Sequence, residues 1–360
     1  MIPNGLLAAD YTPIVSDKLT SVYQPEDVYA GTLVSALGMI DMGTTGVVDT
    51  SQVNHSPEHT DAGIKALQDA GIRAVYAYSR GTGPAAKFPE DIGRLQRTYF
   101  NSKDQLLTLA LSGTLDEKIF SYARQVGVRT VSHGVNSRTE AALRALADAR
   151  LLRPGDEYIH CTQLSDASWR LIKDNGGFVS LATPIEMVMG HGMPGIERAL
   201  VNGLRPSLSS DVDVTMAQDP FTIMRTTFAL QRLLILQRAD KREQDLPPLV
   251  TCRDILEFAT IDGARCAGFA DKAGSLTPGK DADIVMLTAD RINVWPLNNA
   301  PGTVVNLMNP ANVDTVFIAG KIKKWRGNLV GFDLARIRKQ VETARDRVMR
   351  RANYKSDLFG

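Results

Sequence analysis

The chain has 360 residues, with 41 Lys and Arg against 40 Asp and Glu and a formal net charge of +1. This length suffices for one large domain or two modest ones. The near-zero net charge excludes a protein that binds nucleic acid by charge, because phosphates require an excess of Lys and Arg. The sequence contains no apolar run of membrane-spanning length and no pattern typical of a signal peptide. Its three widely spaced cysteines are typical of reduced thiols, so we expect a cytoplasmic protein.

Short apolar segments alternate with amphipathic helical segments from about residue 26 to residue 270. Strands that are apolar on both faces and separated by helices are typical of a parallel sheet covered by helices. The repeated unit predicts a (β/α)8 barrel of the TIM type, in the α/β class, rather than an open sheet. The predicted strands are Gly46–Thr50, Arg73–Ser79, Leu106–Gly113, Arg129–Val135, Glu157–Gln163, Phe178–Pro184 and Arg205–Asp211.

The predicted helices carry their own boundary signals. Pro25–Gly43 ends at a glycine, and Ser56 followed by Pro57 begins the next helix with an N-cap residue and a proline. A closed barrel needs an eighth strand, yet only an irregular segment and one helix precede Gly46. The first strand is therefore not identified: either it is hidden in residues 5–16, or the chain begins after it.

The pattern changes after residue 270. Gly274–Leu287 predicts a Pro-Gly turn and an alternating strand, and Val313–Lys324 predicts two short strands around Gly320. We therefore predict three parts. A (β/α) barrel covers residues 1–270, a small β-sandwich portion covers 271–330, and a charged amphipathic helix covers 331–360 and serves packing or a subunit contact.

Three side chains with metal-binding or proton-transfer chemistry end three different predicted strands: His133, His160 and Asp211. In barrels of this type, reactive side chains lie at the C-terminal ends of the strands. Imidazole and carboxylate ligands suit a divalent ion such as Zn²⁺, which lowers the pKa of bound water towards neutrality. A carboxylate beside that water can accept its proton, and a histidine can polarise the substrate. We predict that these three residues form the catalytic group.

Further loop residues at the same end of the strands are candidates for binding a small-molecule substrate. Gln52 and His55 follow the first predicted strand, and Asn136 follows the strand that contains His133. Glu186 and His191 follow the strand Phe178–Pro184, and a plain loop role is equally consistent with their positions.

Three segments have distinctive sequences: GTTGVVDTSQVNHSPEHTDAGIKALQDAGIRAVYAY from Gly43, TPIEMVMGHG from Thr183, and ATIDGARCAGFADKAGSLTPGKDADIVML from Ala259. Together with the spacing of the three strand-end residues, they resemble the amidohydrolase superfamily, in its cytosine deaminase/chlorohydrolase branch, which includes S-adenosylhomocysteine deaminases. The resemblance extends over roughly residues 20–325. It implies a metal-dependent hydrolase that acts on an amide, amidine, ring amino or similar bond of a small heterocyclic substrate. It also implies that His133 and Asp211 are metal ligands and that His160 polarises the substrate.

Two features depart from that family. Its first barrel strand ends in His-x-His, which supplies two metal ligands, and no His-x-His occurs in this chain. Deaminases of the branch carry Glu three residues after the histidine of the fifth strand, where this chain has Asn136. An amide cannot transfer protons as that carboxylate does. Because the His-x-His strand is missing, the resemblance leads us to expect a sequence that begins after the first strand of a complete member.

Two hypotheses remain open. In the first, the protein is a hydrolase that binds Zn²⁺ or Fe²⁺. In the second, this chain has no metal site, because His133 and Asp211 are fewer than the three protein ligands of usual catalytic sites. It would then use His133, His160 and Asp211 as acid and base groups, or it would bind a ligand without catalysis. Since a missing strand exposes sheet edges, we also expect a homodimer or coverage by residues 1–25.

Overall fold

The structure is a computed structural model that describes residues 6–135 and 137–355. Within these residues, one parallel sheet has its strands in sequence order, so each strand pairs with the next through a helical connection. This is the connectivity of a TIM-type barrel. The strands of this sheet are β1 Gly46–Ser51, β2 Arg73–Tyr78, β3 Leu107–Ser112, β4 Arg129–His133, β5 Glu157–Ile159, β6 Phe178–Leu181 and β7 Ser207–Leu208.

Helices precede, connect and follow these strands. Among the described residues, no helix combines the length and the hydropathy of a membrane span. The α-helices are α1 Ala8–Tyr11, α2 Pro25–Asp41, α3 Pro57–Ala70, α4 Ile92–Thr98, α5 Glu117–Val126, α6 Ser137–Asp148, α7 Asp166–Asp174, α8 Thr183–Val188, α9 Ile196–Val201, α10 Pro220–Asp240, α11 Cys252–Glu257, α12 Gly263–Ala267, α13 Ala300–Asn306 and α14 Leu334–Arg351.

The alternation of side chains along β2 explains why the sheet is apolar on both faces. All residues of β2 are buried. Val75 and Ala77 belong to a small cluster with Val131 and Ile159, which lie on other strands of the sheet. Tyr76 belongs to the larger core shared with the helices. Since successive side chains point to opposite faces, one face of the sheet lines the barrel interior and the other packs against helices.

Residues with a capping role mark the start of α5 and the end of α3. The Asp116 carboxylate accepts hydrogen bonds from two backbone N–H groups in the first turn of α5. Gly71 ends α3 with φ +65°, a left-handed conformation that costs glycine little. These two residues therefore fix where α5 begins and where α3 ends.

The prediction of a closed eight-stranded barrel is confirmed only in part. Among the described residues the sheet has seven strands, and β1 is not hydrogen-bonded to β7. The suggestion that residues 5–16 hide a strand is wrong for residues 6–16, because this segment is coiled and then helical. The predicted strand Arg205–Asp211 is reduced to Ser207–Leu208, so Asp211 lies in the following loop.

Residues 6–23, the N-terminal segment, lie over loops that follow the strands. Near its start, the Ala8 N–H donates to the Met189 carbonyl, 2.9 Å away, in the loop that follows α8. Near its end, the Thr20 carbonyl accepts from His55 Nε2 at 2.9 Å, and His55 lies in the loop that follows β1. The segment therefore connects the two sides of the break between β7 and β1. These contacts are to loops rather than to the edges of β1 and β7, so the predicted coverage of the strand edges by residues 1–25 stays a prediction.

The C-terminal helix α14 stabilises this arrangement from outside. Its Arg347 and Arg351 donate to the carboxylate of Asp27, which is only 1% exposed and lies in the first turn of α2. Its Val348 packs with Leu19 of the N-terminal segment. The predicted amphipathic helix is thus present, and it has an intramolecular packing role.

The small β-sandwich portion is not confirmed. The described residues after α12 form one antiparallel sheet in the order β11-β10-β9-β8, rather than two facing sheets. Its strands are β8 Ile284–Leu287, β9 Val313–Ile318, β10 Lys321–Trp325 and β11 Asn328–Leu329. The two predicted strands around Gly320 are therefore present. The division into domains at residues 270 and 330 stays a prediction.

A buried ion pair joins the small sheet to the barrel. Arg73 of β2 donates from Nε to Asp283 at 2.8 Å, and the two side chains are only 2% and 3% exposed. A second guanidinium nitrogen lies 2.9 Å from the other Asp283 oxygen, so the contact is bidentate. Such geometry compensates the desolvation of both charges, and loss of one partner leaves the other buried and unpaired.

We expect Arg73→Met to lower the free energy of unfolding by about 3–5 kcal/mol, because it leaves the Asp283 carboxylate without its cation. Urea denaturation measures this change. Lys65→Met is the control, because Lys65 pairs with Asp69 on the surface of α3, where a pair contributes about 0.5 kcal/mol. Equal effects of the two substitutions would contradict the structural importance of the buried pair.

Candidate active site

The three residues predicted from strand ends lie together at the C-terminal end of the parallel sheet. His133 ends β4, His160 follows β5, and Asp211 lies three residues after β7. The ring centroids of His133 and His160 are 5.6 Å apart. His160 Nε2 lies 3.7 Å from a carboxylate oxygen of Asp211. The connectivity of the barrel therefore gathers residues that are far apart in sequence.

The backbone at His160 adopts a rare conformation. His160 has φ +69° and Cys161 has φ +54°, and neither is a glycine. The Cys161 N–H donates to the Ile159 carbonyl at 2.9 Å, which closes a γ-turn around His160. A γ-turn with positive φ is strained, and strained residues of this kind cluster at functional sites. His160 itself is only 1% exposed.

A buried carboxylate contacts the ring of His160. Glu186, in the first turn of α8, is fully buried. Its Oε1 lies 3.0 Å from His160 Nδ1 and accepts a second bond, of 2.8 Å, from the Ala182 N–H. Since the carboxylate is an acceptor, Nδ1 of His160 carries the hydrogen. The remaining nitrogen, Nε2, faces Asp211.

Asp211 and its surroundings form the opposite side of this group. Asp211 has φ +55°, and its N–H donates to Ser209 Oγ at 3.1 Å. Tyr11 of the N-terminal segment is also nearby: burial, followed by the charges of Asp211 and Asp213, raises the pKa of its hydroxyl to about 12. No local sequence pattern connects Tyr11 with Asp211, so the sequence alone does not identify this residue.

His133 and His191 complete a group of three imidazoles with His160 at its centre. The His191 ring packs edge-on against His160 with centroids 4.9 Å apart. His133 lies deep among protein atoms yet retains accessible surface, as expected for a side chain that faces a cleft. Burial, and then the neighbouring His160 and His191, lower the pKa of His133 to about 4. Burial also lowers the pKa of His191. We expect both rings to be neutral near pH 7.

His55 has a different environment. Its Nδ1 accepts a hydrogen bond from the Thr82 N–H at 3.0 Å, so its Nε2 is the donor to the Thr20 carbonyl. Both ring nitrogens are therefore engaged by the backbone, one of them by the N-terminal segment. Gln52 is exposed beyond the end of β1. Asn136 lies outside the described residues. Substrate binding by these residues stays a prediction.

The described residues do not fit a catalytic metal site. They contain no group of three or more His, Cys, Asp or Glu side chains arranged to hold a metal ion. His133 and Asp211, the predicted ligands, lie beside His160, but the ring nitrogens of His160 face Glu186 and Asp211. Catalytic zinc sites normally have three protein ligands and an open position. What the group provides by itself is acid–base chemistry.

Comparison with known proteins agrees with this fold. The amidohydrolase family profile matches residues 9–323. A 5-methylthioadenosine/S-adenosylhomocysteine deaminase of Acetivibrio thermocellus is 24% identical over 93% of this chain and 78% of its own length. A 5'-deoxyadenosine deaminase of Methanothermobacter thermautotrophicus is 26% identical over 84% of this chain and 72% of its own length.

A solved structure shares the fold. The crystal structure of an adenosine deaminase from Xanthomonas campestris with bound zinc aligns with a TM-score of 0.83. The alignment covers 97% of this chain and 81% of the deaminase chain, at 21% identity. At this identity the similarity concerns the fold. The zinc is a property of that deaminase, and the divalent metal predicted for this chain has no complete ligand group among the described residues.

We expect the N-terminal segment to dissociate more readily at low pH, because burial lowers the pKa of His55 below its ordinary value of 6.5. The neutral ring accepts from Thr82, and a protonated ring cannot. This contribution is present above about pH 6.5 and is lost as the pH falls through the lowered pKa. Hydrogen-exchange protection of residues 12–22 at pH 7.5 and pH 5.5 measures it. In the permanently neutral His55→Gln variant, the loss of protection should be smaller; an equal loss would contradict the role of His55.

Proposed function

Because the chain belongs to the amidohydrolase family, we propose that it hydrolyses a C–N bond of a small heterocyclic substrate. The family match confirms the prediction of a hydrolase of this superfamily. The single observation that carries the proposal is the arrangement of His160 Nε2 and Asp211 3.7 Å apart at the end of the sheet. The deaminases named above support an aminopurine nucleoside as the substrate class.

The proposed reaction uses the side chains that meet in this group. The Asp211 carboxylate accepts a proton from a water molecule, and the water oxygen attacks the ring carbon that carries the amino group. His160, whose hydrogen lies on Nδ1, accepts at Nε2 a hydrogen bond from the amino group of the substrate and so holds the attacked C–N unit beside Asp211. Asp211 then returns the proton to the departing nitrogen, which leaves as ammonia. No step is assigned to a metal, because the described donors do not complete a site.

Asp211 suits this role by position. It is partly accessible, with 19% of its side chain exposed, whereas His160 is only 1% exposed. Water can therefore reach the carboxylate, while the imidazole lies in a less polar environment where its hydrogen bonds are stronger. The neighbouring His133 has accessible surface and can contact the same substrate.

A second candidate is a protein that binds the heterocycle without hydrolysing it. The observation that favours it is the absence, from the described residues, of a three-ligand metal group. Without a metal to lower the pKa of water, general acid–base groups alone provide a smaller rate enhancement. Binding without turnover would distinguish this candidate from the first.

We expect Asp211→Asn to lower kcat/KM for ammonia release from an aminopurine nucleoside by about 10²–10⁴-fold, because the amide cannot accept the proton of the water. The assay uses a panel of 6-aminopurine nucleosides. Asp240→Asn, at the exposed end of α10, is the control and should leave kcat/KM unchanged.

The same assay tests the metal. We expect a chelator to leave the rate unchanged, since the described donors complete no metal site. Loss of activity with the chelator and recovery with Zn²⁺ would contradict the metal-free mechanism. Tight nucleoside binding with no ammonia release, with and without added Zn²⁺, would contradict the hydrolase proposal and favour the binding protein.

A further inference from the structure

We propose that Glu186 is a positioning residue that fixes the hydrogen of His160 on Nδ1 and thereby directs Nε2 towards Asp211 and the substrate. The sequence suggested instead that Glu186 contacts substrate. The catalytic consequence of this inference rests on the proposed function, whereas the ring orientation does not.

The burial of Glu186 argues against direct substrate contact. The residue is fully buried, so a ligand in the cleft cannot reach its carboxylate without moving protein atoms. Its Oε1 is held on two sides, by the Ala182 N–H at 2.8 Å and by His160 Nδ1 at 3.0 Å. Its Oε2 has no hydrogen-bond partner among the described residues. The carboxylate is therefore oriented by Oε1 alone, and it points at the imidazole.

The local structure of α8 fixes this direction. Thr183 and Pro184 begin the helix, and the Glu186 N–H donates to the Ala182 carbonyl at 2.9 Å. Ala182 thus both accepts from the Glu186 backbone and donates to its side chain. This reciprocal contact holds the carboxylate over the first turn of the helix.

The backbone of His160 does not determine the orientation of its ring, so the ring needs a hydrogen-bond partner such as Glu186. The γ-turn at φ +69° determines where the side chain leaves the backbone. It does not determine which face of the ring carries Nδ1, because a half-turn of the imidazole exchanges nitrogen and carbon positions. A hydrogen bond from Nδ1 to Glu186 selects one of the two orientations, and it places Nε2 3.7 Å from Asp211.

This orientation has a consequence for the substrate. The separation of 3.7 Å between Nε2 and the Asp211 oxygen exceeds a direct hydrogen bond. A water molecule or an amino group can contact both atoms from between or beside them. If Glu186 did not hold Nδ1, the ring could present a carbon atom at the same place, and the contact would be lost.

The direct test is the protonation pattern of His160, measured by long-range ¹H–¹⁵N spectra of histidine-labelled protein. The chain has five histidines, and loss of one signal in His160→Gln assigns the residue. We expect Nδ1 to carry a hydrogen in the wild-type protein. An unprotonated Nδ1 would overturn the proposal, whatever the variants do.

The variants separate positioning from general stability. Glu186→Gln keeps an acceptor oxygen and should retain the Nδ1–H signal, whereas Glu186→Leu removes the acceptor and should lose it. Glu197→Leu is the matched control: it removes a half-buried carboxylate of α9 that pairs with Arg238, and it should leave the His160 spectrum unchanged. A retained Nδ1–H signal in Glu186→Leu would overturn the proposal.

Turnover supplies an independent readout. We expect Glu186→Leu to lower kcat by about 10–100-fold with a smaller change in KM, and Glu186→Gln to restore most of the rate. The spectra require no activity. Absence of turnover in the wild-type protein therefore contradicts the proposed function alone, while a wild-type rate in Glu186→Leu contradicts the positioning role alone.

Discussion

The break between β1 and β7 is the constraint around which the rest of the protein is arranged. In the described sheet these two strands are edges, and unpaired backbone groups at an edge require cover. Below the break, Phe269 lies so close to Gly46 that a β-carbon there would be 2.9 Å from its ring, so a larger residue would require the ring to move. Above it, the N-terminal segment joins the loops on both sides and is itself supported by α14.

The strands and loops on the two sides of the break contribute unequally to the candidate site. The side chains of the candidate site come from β4, the residue after β5, the start of α8 and the loop after β7. The loop after β1 contributes His55, whose ring nitrogens are engaged by Thr20 and Thr82 rather than facing His160. A catalytic metal site normally needs three protein ligands and an open position, whereas proton transfer needs only two or three neighbouring groups. The observed group satisfies the second requirement.

The sequence predicted the parts of this structure that depend on local periodicity and on chain order. Alternating β and α segments placed His133, His160 and Asp211 at one end of the sheet, because parallel strands share that end. The sequence did not predict contacts between segments that are distant along the chain. Nothing in the spacing of Glu186 and His160 indicates that a γ-turn brings them together, and no pattern connects Tyr11 with Asp211. The single sheet after α12 differs from the predicted sandwich because strand count alone does not determine how sheets pair.

The contact between Glu186 and His160 matters for the mechanism independently of family membership. A fold permits several chemistries, so membership does not by itself establish the role of any side chain. A carboxylate on Nδ1 orients histidines that bind metals and histidines that transfer protons in the same way. Nε2 is therefore the working nitrogen of His160 in either chemistry. The orientation of this ring, rather than the presence of a metal, is the feature that both mechanisms require of this site.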